Sequence, residues 1–374
     1  MDLSVFYEIQ TIDVSPAAVR RTYDETIEQV ILADELGYRT AWLVEHHFLP
    51  GYCFCPAPEL LLTYLASKTK RIRLGHGIVQ LPFRINHPLR VAERIAVLDI
   101  LSNGRVEFGG GRVTIGSELE AFGVDPADTR RQWEEALHML PKMWMEENFR
   151  WESDLISVPP RSVVPKPVQQ PHPPMWVACS QPSTIEFAGK NGLGVLGLGI
   201  DLKNAAQYVR LYREASNRAK PIGAFVNNRF AILVTALCCD TDEEAINLQG
   251  PSVKLLAEQT AAFQKPWIEG SVPPTYEYFT NWVAQSAAKL KHASLHDLIR
   301  GSCVGGPDTC LKMLQRLEDA GVDETMLFMQ LYQTPHDAIV RSIRLVAEEV
   351  KPRLKSSTNT QASHKERAHG KARH

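Results

Sequence analysis

Thr40-Ala41-Trp42-Leu43-Val44 runs directly into Glu45-His46-His47-Phe48. The first five residues are mostly apolar or β-branched and read as a short buried strand. The next four hold the densest ionisable cluster at any expected strand end. Upstream, Val19–Leu36 puts Tyr23, Ile27, Val30 and Ile31 on one helical face and stops at Gly37. Before it, Leu3–Tyr7 reads as a strand. Downstream, a helix is expected over Leu60–Lys68, a strand over Ile72–Val79, and a helix over Pro88–Leu101 that closes at Asn103-Gly104. The quoted stretch therefore sits inside a strand–helix alternation.

The alternation continues. Strands are expected at Arg105–Phe108, Met175–Ala178, Gly194–Leu198, Ala224–Ala236 and Thr325–Met329. Helices are expected at Arg130–Met145, Ser183–Lys190, Leu202–Ala215, Asp242–Phe263, Leu311–Ala320 and His336–Val350. Every connection is long enough for a crossover, so the strands should be parallel. Eight such units make a (β/α)8 TIM barrel, in preference to an open doubly wound sheet. Two insertions interrupt it. Glu147–Pro174, after strand 4 and its helix, is proline-rich and should hold a small hairpin. Lys265–Gly301 precedes strand 8 and is placed to act as a cover. The expected organisation is one barrel domain over 1–354 and a tail over 355–374. The tail is basic, polar and without aromatics, the composition of a disordered segment.

Composition excludes several classes. The chain has 374 residues, with 41 Lys+Arg against 43 Asp+Glu, a formal charge of −2. That near-neutrality argues against a nucleic-acid binder. No apolar run approaches the ~20 residues of a membrane span. Met1-Asp2-Leu3-Ser4 shows no leader pattern, and the seven cysteines are odd in number and lack any C-x-x-C pair. A reducing, cytoplasmic setting is expected.

In a barrel, chemistry collects at the C-terminal strand ends. After strand 2, a histidine can give or take a proton near neutral pH, and strand alternation would point His46 and His47 to opposite sides. A metal centre would need converging ligands such as His46, His76 and Glu45. The sequence has no H-E-x-x-H, and Cys53-x-Cys55 and His292/His296 are poorly spaced, so no metal is expected. After strand 4, Gly109-Gly110-Gly111-Arg112 could let backbone and guanidinium approach a phosphate. After strand 5, Cys179-Ser180 leads into a helix N-terminus, which favours anions. Together they would form a phosphate clamp. Gly192-Leu193-Gly194-Val195-Leu196-Gly197 matches G-x-G-x-x-G, but it leaves a helix and enters a strand, the reverse of a dinucleotide site.

At this point a resemblance emerges. Thr40–Phe48 resembles the strand-two segment of the bacterial luciferase-like monooxygenases. Ile72-Arg73-Leu74-Gly75-His76-Gly77-Ile78-Val79-Gln80-Leu81-Pro82, His87–Glu93, Ser102–Arg112, Phe122-Gly123-Val124 and Val304–Asp308 resemble later segments in the same order. The resemblance implies a barrel that takes FMN as FMNH2 from a separate NAD(P)H:flavin reductase. It implies a C4a-peroxyflavin formed with O2, insertion of one oxygen atom into a small organic substrate, and a homodimer built through helices after the early strands.

By the same resemblance His46 is the catalytic acid/base, and Glu45 orients it or touches the flavin. Gly77-Ile78 lies behind the flavin ring at a position where relatives carry a non-proline cis peptide. Arg112 and Ser180 bind the phosphate, with the Cys179 backbone beside them, and Phe48, Tyr52, Phe54 and Phe83 line the substrate pocket. The chain departs from the luciferase α-subunit pattern, which has Glu where Cys179 stands and a reactive Cys where Gly111 stands. Other relatives bind the deazaflavin F420 and transfer hydride, which is the alternative reading. A flavin-binding partner subunit without activity is a third.

Overall fold

The computed structural model describes residues 1–290 and 293–354, so the expected disordered tail 355–374 and His292 lie outside the described residues. Eight parallel strands form the barrel: β1 (Asp2–Tyr7), β2 (Thr40–Leu43), β3 (Arg73–His76), β4 (Val106–Gly111), β5 (Met175–Cys179), β6 (Gly194–Gly197), β7 (Phe230–Cys238) and β8 (Glu324–Phe328). Each pairs with the next, and β8 returns to β1 through registers such as Ser4 with Met326, which closes the (β/α)8 barrel. A short strand, Cys303–Gly305, adds to the outer end of β7.

Helices wrap the outside: α1 (Pro16–Glu35), α2 (Pro58–Lys68), α3 (Pro88–Leu101), α4 (Gly116–Ala121), α5 (Thr129–Met145), α6 (Pro182–Lys190), α7 (Ala205–Ser216), α8 (Asp242–Glu269), α9 (Glu277–Leu290), α10 (Leu295–Ile299), α11 (Pro307–Asp319) and α12 (His336–Leu345). Pro16, Pro58, Pro88, Pro182 and Pro307 each open a helix. Proline suits that position because its missing N–H has no intrahelical partner there and its φ is already helical. The hairpin expected in the first insertion is present, Phe149–Glu152 against Ser157–Arg161. The second insertion is helical: α8 runs to Glu269, and α9 and α10 follow.

The N-terminal end of the barrel is sealed by a buried ionic cluster. The Glu324 carboxylate accepts from Ser4 Oγ at 2.6 Å, Trp42 Nε1 at 2.9 Å and Arg229 Nη2 at 3.2 Å. Glu107 takes Trp176 Nε1 at 2.7 Å, and Arg39 bridges both carboxylates at 3.2 Å. Multiple donors are what make buried carboxylates tolerable. The polar groups that remain for chemistry lie at the opposite mouth.

Three expectations need correction. The strand expected over Ile72–Val79 is broken: β3 ends at His76, and Val79–Gln80 pairs separately with Gly110 and Gly111. Residues 224–229 are not strand. Asn227 instead turns its amide to the Met175 carbonyl at 3.0 Å, and β7 starts at Phe230. Gly109–Gly111 do not follow β4 as a turn but form its last three residues.

Candidate active site at the C-terminal mouth of the barrel

The chain leaves β2 as an irregular segment and places Glu45, His46 and His47 in polar networks with Glu118, Gln80 and Asn86. His46 Nδ1 lies 3.3 Å from both carboxylate oxygens of Glu118, a fully buried residue of α4. The Glu118 carboxylate also accepts from the His47 amide at 2.6 Å and from Gln80 Nε2 at 3.1 Å. Burial alone would lower the His46 pKa. Glu118, then Glu8 and Glu45, outweigh it and raise the pKa to about 8. Burial pushes the Glu118 carboxyl up, but His46 and the donated hydrogen bonds hold it below the ordinary range. Among the described residues, no hydrogen bond engages His46 Nε2.

Glu45 does not hold His46. Its carboxylate accepts from the Gln80 amide at 2.7 Å and Asn86 Nδ2 at 2.7 Å, and pairs with His47 Nε2 at 3.1 Å. Its work is to tie the Val79–Gln80 strand to the end of β2. His47 is thereby turned away from His46 and packs edge-on against Phe122 at 5.0 Å.

His76 is buried. Burial, with Arg94 nearby, pulls its pKa down to about 3, so it stays neutral and its Nδ1 has no partner. Among the described residues no group of three His, Cys, Asp or Glu is arranged to hold a metal ion, and His46 and Glu45 are committed to other partners.

Gly77 and Ile78 cross the barrel mouth beside β4. The Gly77 amide donates to the Leu43 carbonyl at 2.7 Å. The cis peptide bonds among the described residues precede Pro165 and Pro171, so Gly77–Ile78 is trans and the expected non-proline cis bond is not found. The glycines of β4 are explained by this crossing. A Cβ on Gly109 would stand 2.1 Å from the His76 carbonyl oxygen, and one on Gly111 would stand 2.7 Å from Ile78 Cγ1. Gly109 thus admits the His76 backbone, and Gly110 and Gly111 admit the Leu81 and Ile78 side chains, so the three serve packing within the barrel rather than a turn.

Arg112 follows directly. Its Nη2 donates to the Thr275 carbonyl at 3.1 Å, its guanidinium lies over the Tyr276 ring at 4.7 Å, and its buried Nη1 has no partner. Burial pulls its pKa down. A half-buried cation with a buried, unpartnered donor is the kind of group an anion satisfies. The β4–β5 register ends with Gly110 opposite Val177, so Arg112 and Cys179-Ser180 follow the C-terminal ends of neighbouring strands. The Cys179 thiol is buried, its pKa driven far up by desolvation, and its Sγ lies 3.5 Å from the Val177 carbonyl, so it is inert. Ser180 is half-buried, and the helix after it, α6, has no side-chain cap on its N-terminus. These residues fit a phosphate group.

The aromatic candidates divide. Tyr52 is buried between the His46 ring at 5.9 Å and Phe263 of α8 at 5.0 Å, so it belongs to the site. Phe48 is 65% exposed, with φ of 59°, and leans on Phe122 at 5.4 Å outside His47. Phe54 and Phe83 are half-buried against the core. The Phe83 amide is tied to Gln132 Oε1 at 2.8 Å. Glu118 was not among the expected site residues. Its only signal is its place four residues ahead of the Phe122-Gly123-Val124 segment.

A family model described as luciferase-like monooxygenase matches residues 1–324. The chain belongs to the luciferase-like monooxygenases, a family of flavin-dependent enzymes. It is 27% identical to 4-hydroxyprotoasukamycin monooxygenase of Streptomyces nodosus over 331 residues, covering 87% of this chain and 85% of that one. It is 34% identical over 197 residues to the oxygenase component of the flavin-dependent trigonelline monooxygenase of Acinetobacter baylyi, about half of each chain (52% and 53%).

Two solved structures share the fold. One is the FMN complex of the oxygenating constituent of 3,6-diketocamphane monooxygenase from Pseudomonas putida, with a TM-score of 0.73, 22% identity, and 95% of this chain and 99% of that chain covered. The other is the coenzyme F420-dependent tetrahydromethanopterin reductase of Methanopyrus kandleri, with a TM-score of 0.66, 20% identity, and 95% and 100% covered.

Proposed function

We propose that this chain is the oxygenase component of a two-component system. It takes reduced FMN from a separate NAD(P)H:flavin reductase and inserts one atom of O2 into a small organic substrate. The observation that carries the reading is His46, fixed at Nδ1 and open at Nε2, on the same barrel mouth as the half-buried Arg112 with its buried, unpartnered Nη1.

Arg112, Ser180 and the N-terminus of α6 would hold the FMN phosphate, and Gly77-Ile78 would back its ring. Reduced FMN, when bound, supplies the two electrons that let O2 give one oxygen atom to substrate and the other to water. His46 gives or takes the proton at Nε2. Tyr52 and Phe263 wall the site beside it, and Gln264 of α8, bonded to the Thr114 carbonyl at 2.5 Å, helps fasten the second insertion over the mouth and keep water out. The relative named as an oxygenase component supports the separate reductase. No helix of the described residues is long and apolar enough to cross a membrane, in keeping with a proposed cytoplasmic enzyme. We further propose a homodimer, joined through the apolar side chains left exposed on α2 and α3.

The test is rapid mixing of protein and photoreduced FMN with oxygenated buffer, followed by absorbance. A lasting intermediate spectrum ahead of oxidised flavin supports the reading. Reoxidation at the rate of free FMNH2, with tight binding of reduced F420, overturns it in favour of hydride transfer.

A further inference from the structure

We propose that Glu118 is a positioning residue that keeps His46 doubly protonated at neutral pH, so that His46 meets the reaction as a proton donor through Nε2–H rather than as a base. The proposal rests on the reading of His46 given above and adds a direction to the proton transfer.

The geometry is specific. A fully buried carboxylate places both oxygens 3.3 Å from Nδ1 and takes two further donors, the His47 amide and Gln80 Nε2. Those two donors fix the carboxylate in place independently of His46. Nδ1 must then carry a proton, because a neutral ring with a bare Nδ1 would set a lone pair against the carboxylate. The ring is also held from the other side by the T-shaped contact with Tyr52, and the His46 amide donates to the Cys55 carbonyl at 3.2 Å.

The charged and titratable groups facing His46 are Glu118 of α4, Glu8 beyond β1, Glu45 on its own segment, and Tyr52, whose phenol burial keeps neutral. Glu8 is buried, which pushes its carboxyl up, and it accepts from Gln10 Nε2 at 2.7 Å. Glu45 is spent on Gln80, Asn86 and His47. Glu118 is the carboxylate that hydrogen-bonds the ring, so it dominates the balance. The buried Glu118 carboxylate at 3.3 Å from Nδ1, with no cation among the groups facing the ring, favours a second proton on Nε2 and so the imidazolium.

The experiment uses the full chain without flavin or substrate, and follows the His46 ring by 15N-edited NMR across pH. In the wild type His46 should titrate above the ordinary histidine value of about 6.5. In Glu118→Gln, which keeps the shape and removes the charge, the midpoint should fall by about one pH unit or more, a tenfold loss of proton affinity. Glu8→Gln should move it less. With FMN and substrate present, the alkaline limb of kcat should shift to lower pH in Glu118→Gln by the same amount, a change that loss of packing alone would not produce. A wild-type His46 that titrates at or below the ordinary value overturns the proposal even if Glu118→Gln does not fold. An unmoved midpoint in a folded Glu118→Gln overturns it as well. Because the titration needs no flavin, its failure is separate from failure of the monooxygenase reading, which the oxygen-mixing experiment decides.

Discussion

The Arg112 guanidinium stands 4.7 Å from the centre of the Tyr276 ring and is bonded to the carbonyl of the residue before it. The end of β4 is thereby joined to the second insertion. Tyr276 is itself anchored, with its hydroxyl 2.7 Å from Thr129 Oγ1 and its ring 4.7 Å from Trp267. One residue thus faces both the proposed phosphate and the cover above it.

Replacing Arg112 should therefore separate binding from turnover. Hydrogen bonds to charged groups contribute about 1.5–3 kcal/mol each, so Arg112→Ala should weaken FMN binding by roughly 10- to 100-fold. His46→Asn should leave FMN affinity within a few-fold and lower kcat by about 10²–10⁴, the usual range for a lost acid/base group. Flavin fluorescence titration and turnover on the same preparations check both. Equal FMN affinity in wild type and Arg112→Ala removes Arg112 from the phosphate site.

Gly109 is a packing requirement. Its missing side chain admits the His76 carbonyl to 2.1 Å from where a Cβ would be, and backbone cannot swing aside as a long side chain can. Gly109→Ala should cost about 1–3 kcal/mol, the range for overpacking a tight interior. It should also displace Gly77-Ile78. Urea denaturation gives the first, and loss of FMN affinity in the still-folded fraction gives the second. An alanine tolerated in both measurements would show that β4 and the crossing segment are not held in contact.

The barrel was readable because its signals are local: apolar residues at helical spacing such as Tyr23, Ile27, Val30 and Ile31, apolar runs of strand length, and glycines at helix ends. His46 was readable because it follows a strand directly. Its partner was not, because Glu118 meets it across 72 positions of chain through the placement of α4, which no periodicity records. Gly109–Gly111 were visible as unusual, but a turn that cradles phosphate and a strand pressed against another backbone ask for the same residue. The aromatic set had the same difficulty. Tyr52 and Phe48 lie four positions apart, yet a positive φ at Phe48 sends one outward and leaves the other against His46.

The dimer proposal has a surface to test. Leu60 and Tyr64 of α2 are 71% and 48% exposed, and Leu101 of α3 is 57% exposed, with Val97 and Ile100 also open on that neighbouring helix. Large apolar side chains left exposed on two neighbouring helices are the material of an association surface. Sedimentation velocity should find a dimer for the wild type and a monomer for the double variant Leu60→Asp/Leu101→Asp, because an unpaired carboxylate in an apolar interface is costly. A monomeric wild type removes the proposal.

The two histidines of the mouth should pull stability in opposite directions as pH changes. His46 has a raised pKa, so its contribution is complete below about 6.5, the unfolded value, and is lost as pH rises through about 8. His76 has a depressed pKa. The unfolded chain takes up its proton near 6.5 while the folded one resists until about 3, so His76 drains stability as pH falls through that window. The cause is burial beside Arg94, and the ring's Nδ1 has no partner to share a proton with. His76→Gln keeps a polar side chain of similar reach and cannot ionise. Urea unfolding from pH 7 to pH 4 should therefore show a shallower loss for His76→Gln than for wild type, with the two curves closest in slope near neutrality. His46→Asn should change the alkaline side instead, flattening the fall between pH 6.5 and 8.5. Parallel wild-type and His76→Gln curves on the acid side would mean that His76 is protonated in the folded chain, and that the space around Glu45, Asn86 and Arg94 admits a charge.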